Sequence, residues 1–392
     1  MTIFSKTKLR FSIFLLTFLL TAPVQGAFAD IVSLSKESSL VALDLPEGYI
    51  LLNAGADNTS YQLQSTIMPV SLIIRFYAKD EYAGAKAALE DNLTRLTATS
   101  DLESFKWRQQ DTALAEISFK LGNAPVSGYA AATVLPEDAG TIILLCWSKT
   151  EDYEQCANLM LSTIDSLCID YGSYFSPGLV TSYAYPAGTE NIPVEFTIDG
   201  HTIRSELSAT DREASEYVIE REYELLTLYA NSTLWQEAWK RYYRMIFRDS
   251  CGRMKRPAFD IYNALAPDCA DETDLAQKLL QWMQDCSYER EKNNSDFASL
   301  PSMLLGGGSD CDSRSMMLAV LLRAMNMDSC IFVSATFSHA VAGFVSSHPG
   351  HSFTAEGKNY LMGETTAKDL TWGKIAAEMD DQRQWLPVIF PY

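Results

Sequence analysis

Basic residues are scarce in this chain of 392 residues, which carries 31 lysines and arginines against 50 aspartates and glutamates. Its formal net charge is −19. Proteins that bind nucleic acid or anionic lipid need clustered lysine and arginine to contact phosphate. The charge balance therefore argues against both kinds of partner.

Long apolar runs are absent after residue 29. The one such stretch, residues 11–29, follows three basic residues and ends in Ala27-Phe28-Ala29, which is the pattern of a secretory signal peptide. We expect cleavage after Ala29, a secreted, periplasmic or cell-envelope location, and no stable membrane insertion of the mature chain. An uncleaved membrane anchor is the alternative interpretation of residues 1–29.

The chain also has few cysteines and histidines, and it has no internal repeat. Eight cysteines are too few for a disulfide scaffold in a chain of this length, although an exported protein could pair some of them, and the sequence does not fix which. The four histidines all follow residue 200, so residues 30–170 carry no histidine-based catalytic site. The absence of repeats argues against solenoids and propellers.

Residues 30–170 contain both strand and helix patterns. Apolar residues with a two-residue period predict strands, and spacings of three and four predict amphipathic helices. The strand patterns cover residues 70–77, 113–119, 129–135 and 141–147, and the helical patterns cover residues 85–96 and 156–167. The order predicts an α+β domain, an antiparallel-sheet sandwich with flanking helices and a structural or partner-binding role. It resembles the small sandwich domains typified by the PsbP and Mog1 proteins.

Residues 171–195 are rich in glycine, proline and tyrosine, which favours irregular backbone, and we assign them as a linker. Beyond it, capping-box patterns at Thr210 and Thr233 predict helices near 211–230 and 233–248. A third helix is predicted near residues 275–283. The second helix carries an aromatic and aliphatic stripe that we expect to be core, formed by Trp235, Trp239, Tyr242 and Ile246.

Cys311 stands in a context that suits a nucleophile. Three glycines at 306–308 precede it, and a dense apolar helical pattern follows it. The thiol is thus predicted at a helix N-terminus, where the helix dipole and unpaired N–H groups stabilise a thiolate. Asp310 and Asp312 oppose that charge, so a histidine partner is required.

Two strand-like segments downstream carry the remaining groups of a possible triad. His339 begins the segment SHAVAGF at residues 338–344, and Glu364 lies in the segment YLMGETT at residues 360–366. If these strands are neighbours, both side chains can meet the thiol at the helix tip.

The segments GGGSDCDSRS, HAVAGF and YLMGETT, in this order, resemble the bacterial branch of the transglutaminase-like, papain-type thiol superfamily over residues 270–370. The resemblance implies a papain-type α+β domain, which we assign to residues 196–392. It implies Cys311 as nucleophile, His339 as general base and Glu364 as the group that orients the imidazole. It also makes Gln284 a candidate oxyanion donor, beside the backbone N–H of Cys311.

The sequence therefore predicts an exported thiol acyl-transfer enzyme without a cofactor, most simply a cysteine peptidase or amidase on protein or peptide substrates. A protein-cross-linking transglutaminase and a catalytically silent envelope or surface binding module are the alternatives. A zinc site of His348 and His351 with Asp310 or Asp312 is a further alternative, although the spacing fits no familiar zinc motif. The substrate and the oligomeric state stay open.

Overall fold

The computed structural model describes residues 31–33, 41–188, 190–289 and 295–391. The predicted signal peptide, residues 1–29, lies outside these ranges. Within them the protein is a mixed α+β structure. A search of the same residues for a helix with the length and apolarity needed to cross a membrane finds none.

The strands of the described residues fall into four sheets. They are β1 (Ile31–Ser33), β2 (Ala42–Asp44), β3 (Tyr49–Ala54), β4 (Ser60–Ser65), β5 (Ser71–Tyr77), β6 (Thr99–Trp107), β7 (Gln110–Leu121), β8 (Ala124–Val134), β9 (Thr141–Lys149), β10 (Leu167–Cys168), β11 (Asn191–Ile198), β12 (His201–Ser208), β13 (Ser329–Ser334), β14 (His339–Val345), β15 (Ser352–Ala355), β16 (Lys358–Gly363) and β17 (Leu386–Ile389).

The helices lie mainly between residues 211 and 324. They are α1 (Ala85–Arg95), α2 (Tyr153–Asp165), α3 (Leu179–Ala184), α4 (Asp211–Thr227), α5 (Trp235–Arg253), α6 (Lys255–Leu265), α7 (Glu272–Asp285), α8 (Leu300–Leu304) and α9 (Cys311–Ala324).

The first large sheet is antiparallel, in the order β3-β4-β5-β9-β8-β7-β6, and helices cover both of its faces. On one face, Ala113 and Ile117 of β7 pack with Leu89 of α1. On the other face, Leu114 of β7 shares a core with Leu159 of α2. The alternation predicted for residues 113–119 is present, but Leu114 is buried as well because α2 covers the face that it occupies.

The second large sheet, in the order β15-β16-β14-β13-β17, positions the candidate site. β14 pairs antiparallel with both β13 and β16, with Ser334 opposite His339 and Ala342 opposite Gly363. The start of β14 and the end of β16 therefore lie at the same end of the sheet. α9 packs against β13 and β14, which brings its first turn toward that end.

Buried arginines of α5 bind groups in the first part of the chain, residues 41–170, and so connect it with the second part, which follows. Arg244 binds Asp44 of β2 with two N–O distances of 2.8 Å, and Arg241 donates to the Asp44 carbonyl at 2.7 Å. Arg248 donates to the carbonyl oxygens of Asp165 and Leu167, each at 2.7 Å. Arginines spaced three and four residues apart lie on one face of a helix, so α5 presents a row of cations to the first part of the chain.

Both capping-box predictions are wrong. An N-cap residue needs an extended backbone, but Thr210 has φ −89° and ψ −9° and makes no capping bond. Asp211 instead accepts a hydrogen bond from the Ser208 N–H at 2.7 Å. α5 begins at Trp235, after Leu234, and again has no side-chain cap. The helices themselves are present, and α5 extends to Arg253.

The stretch predicted as an irregular linker, residues 171–195, is largely regular. It contains a 3-10 turn at Tyr171–Phe175, the helix α3, and the start of β11. Asp170 caps the turn through a reciprocal bond with Ser173, which the proline and glycine content did not reveal. Pro193 is tolerated because, among the described residues, β11 belongs to a two-stranded sheet with β12.

A candidate active site at the start of helix α9

Cys311 is the first residue of α9, as the glycine turn and apolar pattern predict. Asp310 caps the helix: its Oδ1 accepts from the Ser313 N–H at 2.8 Å, and Ser313 Oγ accepts from the Asp310 N–H at 2.9 Å. This reciprocal cap fixes the first turn, whose N–H groups are the part of a helix that attracts negative charge. Cys311 is 6% exposed.

His339 and Glu364 form a direct pair. His339 Nε2 lies 2.8 Å from Glu364 Oε2, and Glu364 Oε1 accepts from both the N–H and the hydroxyl of Thr366 at 2.6 Å. Burial alone would raise the pKa of Glu364, but the hydrogen bond and charge of His339, with the Thr366 donors, lower it to about 2. An ionised Glu364 holds a proton on His339 Nε2, which leaves Nδ1 as the basic nitrogen.

Cys311 and His339 line the same cavity, of about 310 Å³. Its walls include the aromatic side chains Trp239, Tyr242 and Tyr243. Trp239 is half-buried at this cavity, and Trp235 is exposed, so the stripe on α5 is core only at Tyr242 and Ile246. A second cavity, of about 620 Å³, is lined by His339 and Glu364, with Phe337, Ile375 and Met379 as apolar lining residues.

Acidic groups crowd the thiol. Asp312 Oδ1 lies 3.9 Å from Cys311 Sγ. Burial, followed by the charges of Asp310 and Asp296, raises the pKa of Asp312 to about 7, although a hydrogen bond with Tyr243 and the nearby His339 act in the opposite direction. The pKa of Asp310 is raised as well, chiefly by burial.

Arg314 forms hydrogen bonds with three separate segments near the candidate site. Its guanidinium donates to Ser309 Oγ at 2.8 Å, to the Thr365 carbonyl at 3.0 Å and to the Cys286 carbonyl at 2.5 Å. Thr365 follows Glu364 directly. One fully buried side chain therefore ties the first turn of α9 to the segment that carries the carboxylate.

Gln284 lies away from the thiol cavity. Its Nε2 donates to the Glu364 carbonyl at 2.8 Å and to the Leu370 carbonyl at 3.1 Å. The amide therefore binds the main chain of the segment that begins at Glu364. It is not among the residues that line the Cys311 cavity. The backbone N–H of Cys311 is therefore the better candidate oxyanion donor.

The zinc alternative is wrong. His351 Nδ1 lies 2.8 Å from Asp380 Oδ1, and His348 is exposed. Across the described ranges, the group of side chains placed to share a metal ion is Asp296, Asp310 and Asp312, and it contains neither histidine.

The eight cysteines, all of them in described residues, form no disulfide. Burial raises the pKa of Cys168 to about 11 and also raises the pKa values of Cys146 and Cys251. A buried thiol with a raised pKa is a poor nucleophile and packs as a small apolar group.

Sequence reasoning did not identify Asp296, Tyr243 or Arg314 as site residues. Asp296 and Tyr243 reach the site only through tertiary folding. Arg314 had one signal, its position at the start of a largely apolar helix. An arginine that becomes buried there requires fixed hydrogen-bond partners.

No protein-family model and no curated protein matches this chain. Among solved structures, a cyanobacterial PsbP (CyanoP) from Synechocystis sp. PCC 6803 aligns at 15% identity over 33% of this chain and 86% of that one, with a TM-score of 0.27. A Parabacteroides distasonis structure described as a "putative protease" aligns at 11% identity over 80% and 70%, with a TM-score of 0.20. These TM-scores are too low for either match to support a statement about fold or function.

Proposed function

We propose that this chain is an exported thiol acyl-transfer enzyme, a cysteine peptidase or amidase on protein or peptide substrates. The observation that carries the proposal is the arrangement around His339. Its ring lines one cavity with Cys311, and its Nε2 lies 2.8 Å from the buried Glu364. In the proposed layout, a transglutaminase-like domain of residues 196–392 holds the site and a sandwich domain of residues 30–170 provides a contact surface.

The chemistry follows from the position of each group. His339 Nδ1 accepts the thiol proton, and Cys311 Sγ attacks a carboxamide or peptide carbonyl carbon. The Cys311 N–H stabilises the oxyanion. When the C–N bond breaks, the amine leaves with the proton held by His339, and a thioester remains on Cys311. Water then attacks the thioester, releases the acid and restores the thiol. Glu364 stabilises the imidazolium throughout.

The first test is the rate at which iodoacetamide labels Cys311 in the mature protein at pH 6. A free thiol of pKa 8.5 is less than about 1% thiolate at that pH, so rapid labelling requires an activated thiol. We expect His339→Ala to slow labelling at least tenfold and Cys311→Ala to remove it.

The matched control is His351→Ala. His351 also pairs with a carboxylate at 2.8 Å, but it does not line the Cys311 cavity. Its loss should leave the labelling rate unchanged. Equal, slow labelling of wild type and both histidine variants would contradict the proposal and favour a catalytically silent binding module.

A second measurement separates hydrolysis from cross-linking. Reactive enzyme is incubated with a mixture of proteins and a fluorescent primary amine, and mass spectrometry then records cleaved or deamidated products and amine-labelled products. Hydrolysis predicts the first kind and requires Cys311. Predominant incorporation of the amine would instead identify a transglutaminase.

A further inference from the structure

Three carboxylates converge beside Cys311, and the proposed triad uses none of them. Asp310 and Asp312 flank Cys311 at the start of α9, and Asp296 approaches from the segment before α8. One carboxylate oxygen from each lies within 4.8 Å of those of the other two. Oxygens at such separations can share one ion.

Asp310 provides an independent indication of a ligand. The residue is 1% exposed. Its Oδ1 accepts from Ser313, whereas its Oδ2 is buried with no hydrogen-bond partner within the described part of the chain. A buried carboxylate oxygen left unpaired is costly, and native proteins generally satisfy such an atom. Oδ2 is therefore the oxygen available to a cation.

The geometry points to a binding site for one hard divalent cation, of the Ca²⁺, Mg²⁺ or Mn²⁺ class, held by Asp296, Asp310 and Asp312. All three donors are carboxylate oxygens, which these ions prefer, whereas zinc favours nitrogen and sulfur. Asp296 and Asp312 are partly exposed to the cavity, so water can complete the coordination.

The charge balance also favours an ion. Three carboxylate groups within 4.8 Å of one another repel unless a proton or a cation offsets their charge. A bound divalent ion would offset the negative charge beside Cys311. Binding itself does not depend on the reactivity of Cys311, and the site therefore stands apart from the proposed catalysis.

The test uses Tb³⁺, a luminescent stand-in for Ca²⁺, with the mature protein. Because Trp239, Tyr242 and Tyr243 line the same cavity, exciting them should sensitise an ion bound there. We expect a saturable Tb³⁺ signal that Ca²⁺ or Mn²⁺ displaces. Asp296→Asn and Asp312→Asn should each weaken binding at least tenfold, whereas Asp285→Asn, which removes an exposed carboxylate on α7, should not.

The Cys311→Ala variant keeps all three carboxylates and should bind Tb³⁺ as wild type does. The absence of a saturable signal, or a signal that survives in both ligand variants, would overturn the site. A thermal melt of each variant identifies misfolding, and two independent ligand positions keep the test decisive if one variant fails to fold. Intact Tb³⁺ binding with an unreactive Cys311 would refute only the catalytic proposal.

Discussion

Glu364 keeps a negative charge in a nearly closed environment, with 4% of its surface exposed. The groups that make this possible are His339 and Thr366, whose donors occupy both carboxylate oxygens. A carboxylate held in this way both orients the imidazole and contributes to folding, because its lowered pKa links ionisation to stability.

Replacing Glu364 by glutamine should give a stability loss that depends on pH. The pKa is lowered from an ordinary 4.5 to about 2 in the folded state, so the stabilisation is complete above pH 4.5 and is lost as the pH falls toward 2. We expect wild type to be about 2–3 kcal/mol more stable than Glu364→Gln near neutral pH. Chemical denaturation from pH 7 to pH 3 measures the difference.

The same comparison in a His339→Ala background provides the control. Because His339 supplies the largest lowering effect on the Glu364 pKa, the advantage of glutamate over glutamine should shrink there. The idea is contradicted if the difference in free energy of unfolding between wild type and Glu364→Gln stays constant down to pH 3. It is also contradicted if that difference is unchanged in the His339→Ala background, because His339 would then not stabilise the negative charge of Glu364.

At the level of single residues, local signals identified Cys311, and the resemblance also named His339 and Glu364, which the structure pairs at 2.8 Å. Residues that reach the site only through long-range contacts were missed. The position of Cys311 at a helix start was predictable because the neighbouring residues in the sequence indicate both a glycine turn and the helix that follows. The contact of Asp296 with Asp310 and Asp312 joins segments separated by a helix, and no local pattern encodes it.

At the scale of elements, α9 and the end of β16 are held together by Arg314. Replacing Arg314 with lysine removes the guanidinium group, whose nitrogens donate hydrogen bonds to three separate segments. A single ammonium group cannot reproduce all three bonds. We expect Arg314→Lys to lower stability by about 1–3 kcal/mol and to slow Cys311 labelling, because the helix tip loses its fixed position relative to Glu364. Thermal melts and iodoacetamide kinetics measure the two effects.

Arg323→Lys is the matched control, since Arg323 lies on the same helix and donates to Tyr171 at the surface. It should change neither quantity appreciably. Equal effects of the two substitutions would mean that Arg314 contributes nothing specific to the site.

Element prediction succeeded where periodicity was strong and failed where tertiary pairing decides the structure. The cores of β7, α1 and α2 were predicted because burial imposes periods of two or 3.6 residues on their sequences, whereas β9 was predicted from a continuous apolar run that is buried on both faces. The hairpin of β11 and β12 was missed because it is half exposed and contains Pro193. Helix α6, Lys255–Leu265, also went unpredicted.

At the scale of the whole molecule, the arginine row of α5 forms buried polar contacts with the first part of the chain, residues 41–170. Truncating Arg244 would leave Asp44 buried without its bidentate partner, which in comparable cases costs about 3–5 kcal/mol. We expect Arg244→Met to show a loss of this size in chemical denaturation. The double variant with Asp44→Leu should recover most of it, because no charge is then stranded.

An exposed pair makes a suitable reference. Lys86 lies 3.7 Å from Glu90 on α1, and Lys86→Ala should change stability by less than about 1 kcal/mol. If Arg244→Met were no more destabilising than Lys86→Ala, the buried row would not be a determinant of the contact.

The position of β17 in the second sheet has a consequence for timing during synthesis. β17 pairs with β13, and Phe390 just beyond it stacks on Phe247 of α5 with ring centroids 3.8 Å apart. A ribosome delivers Cys311, His339 and Glu364 before these residues emerge. Until Phe390 has been made, the sheet that positions His339 lacks an edge strand and α5 lacks its partner ring. A growing chain thus carries all three side chains of the proposed triad before the sheet and the helix around them are complete.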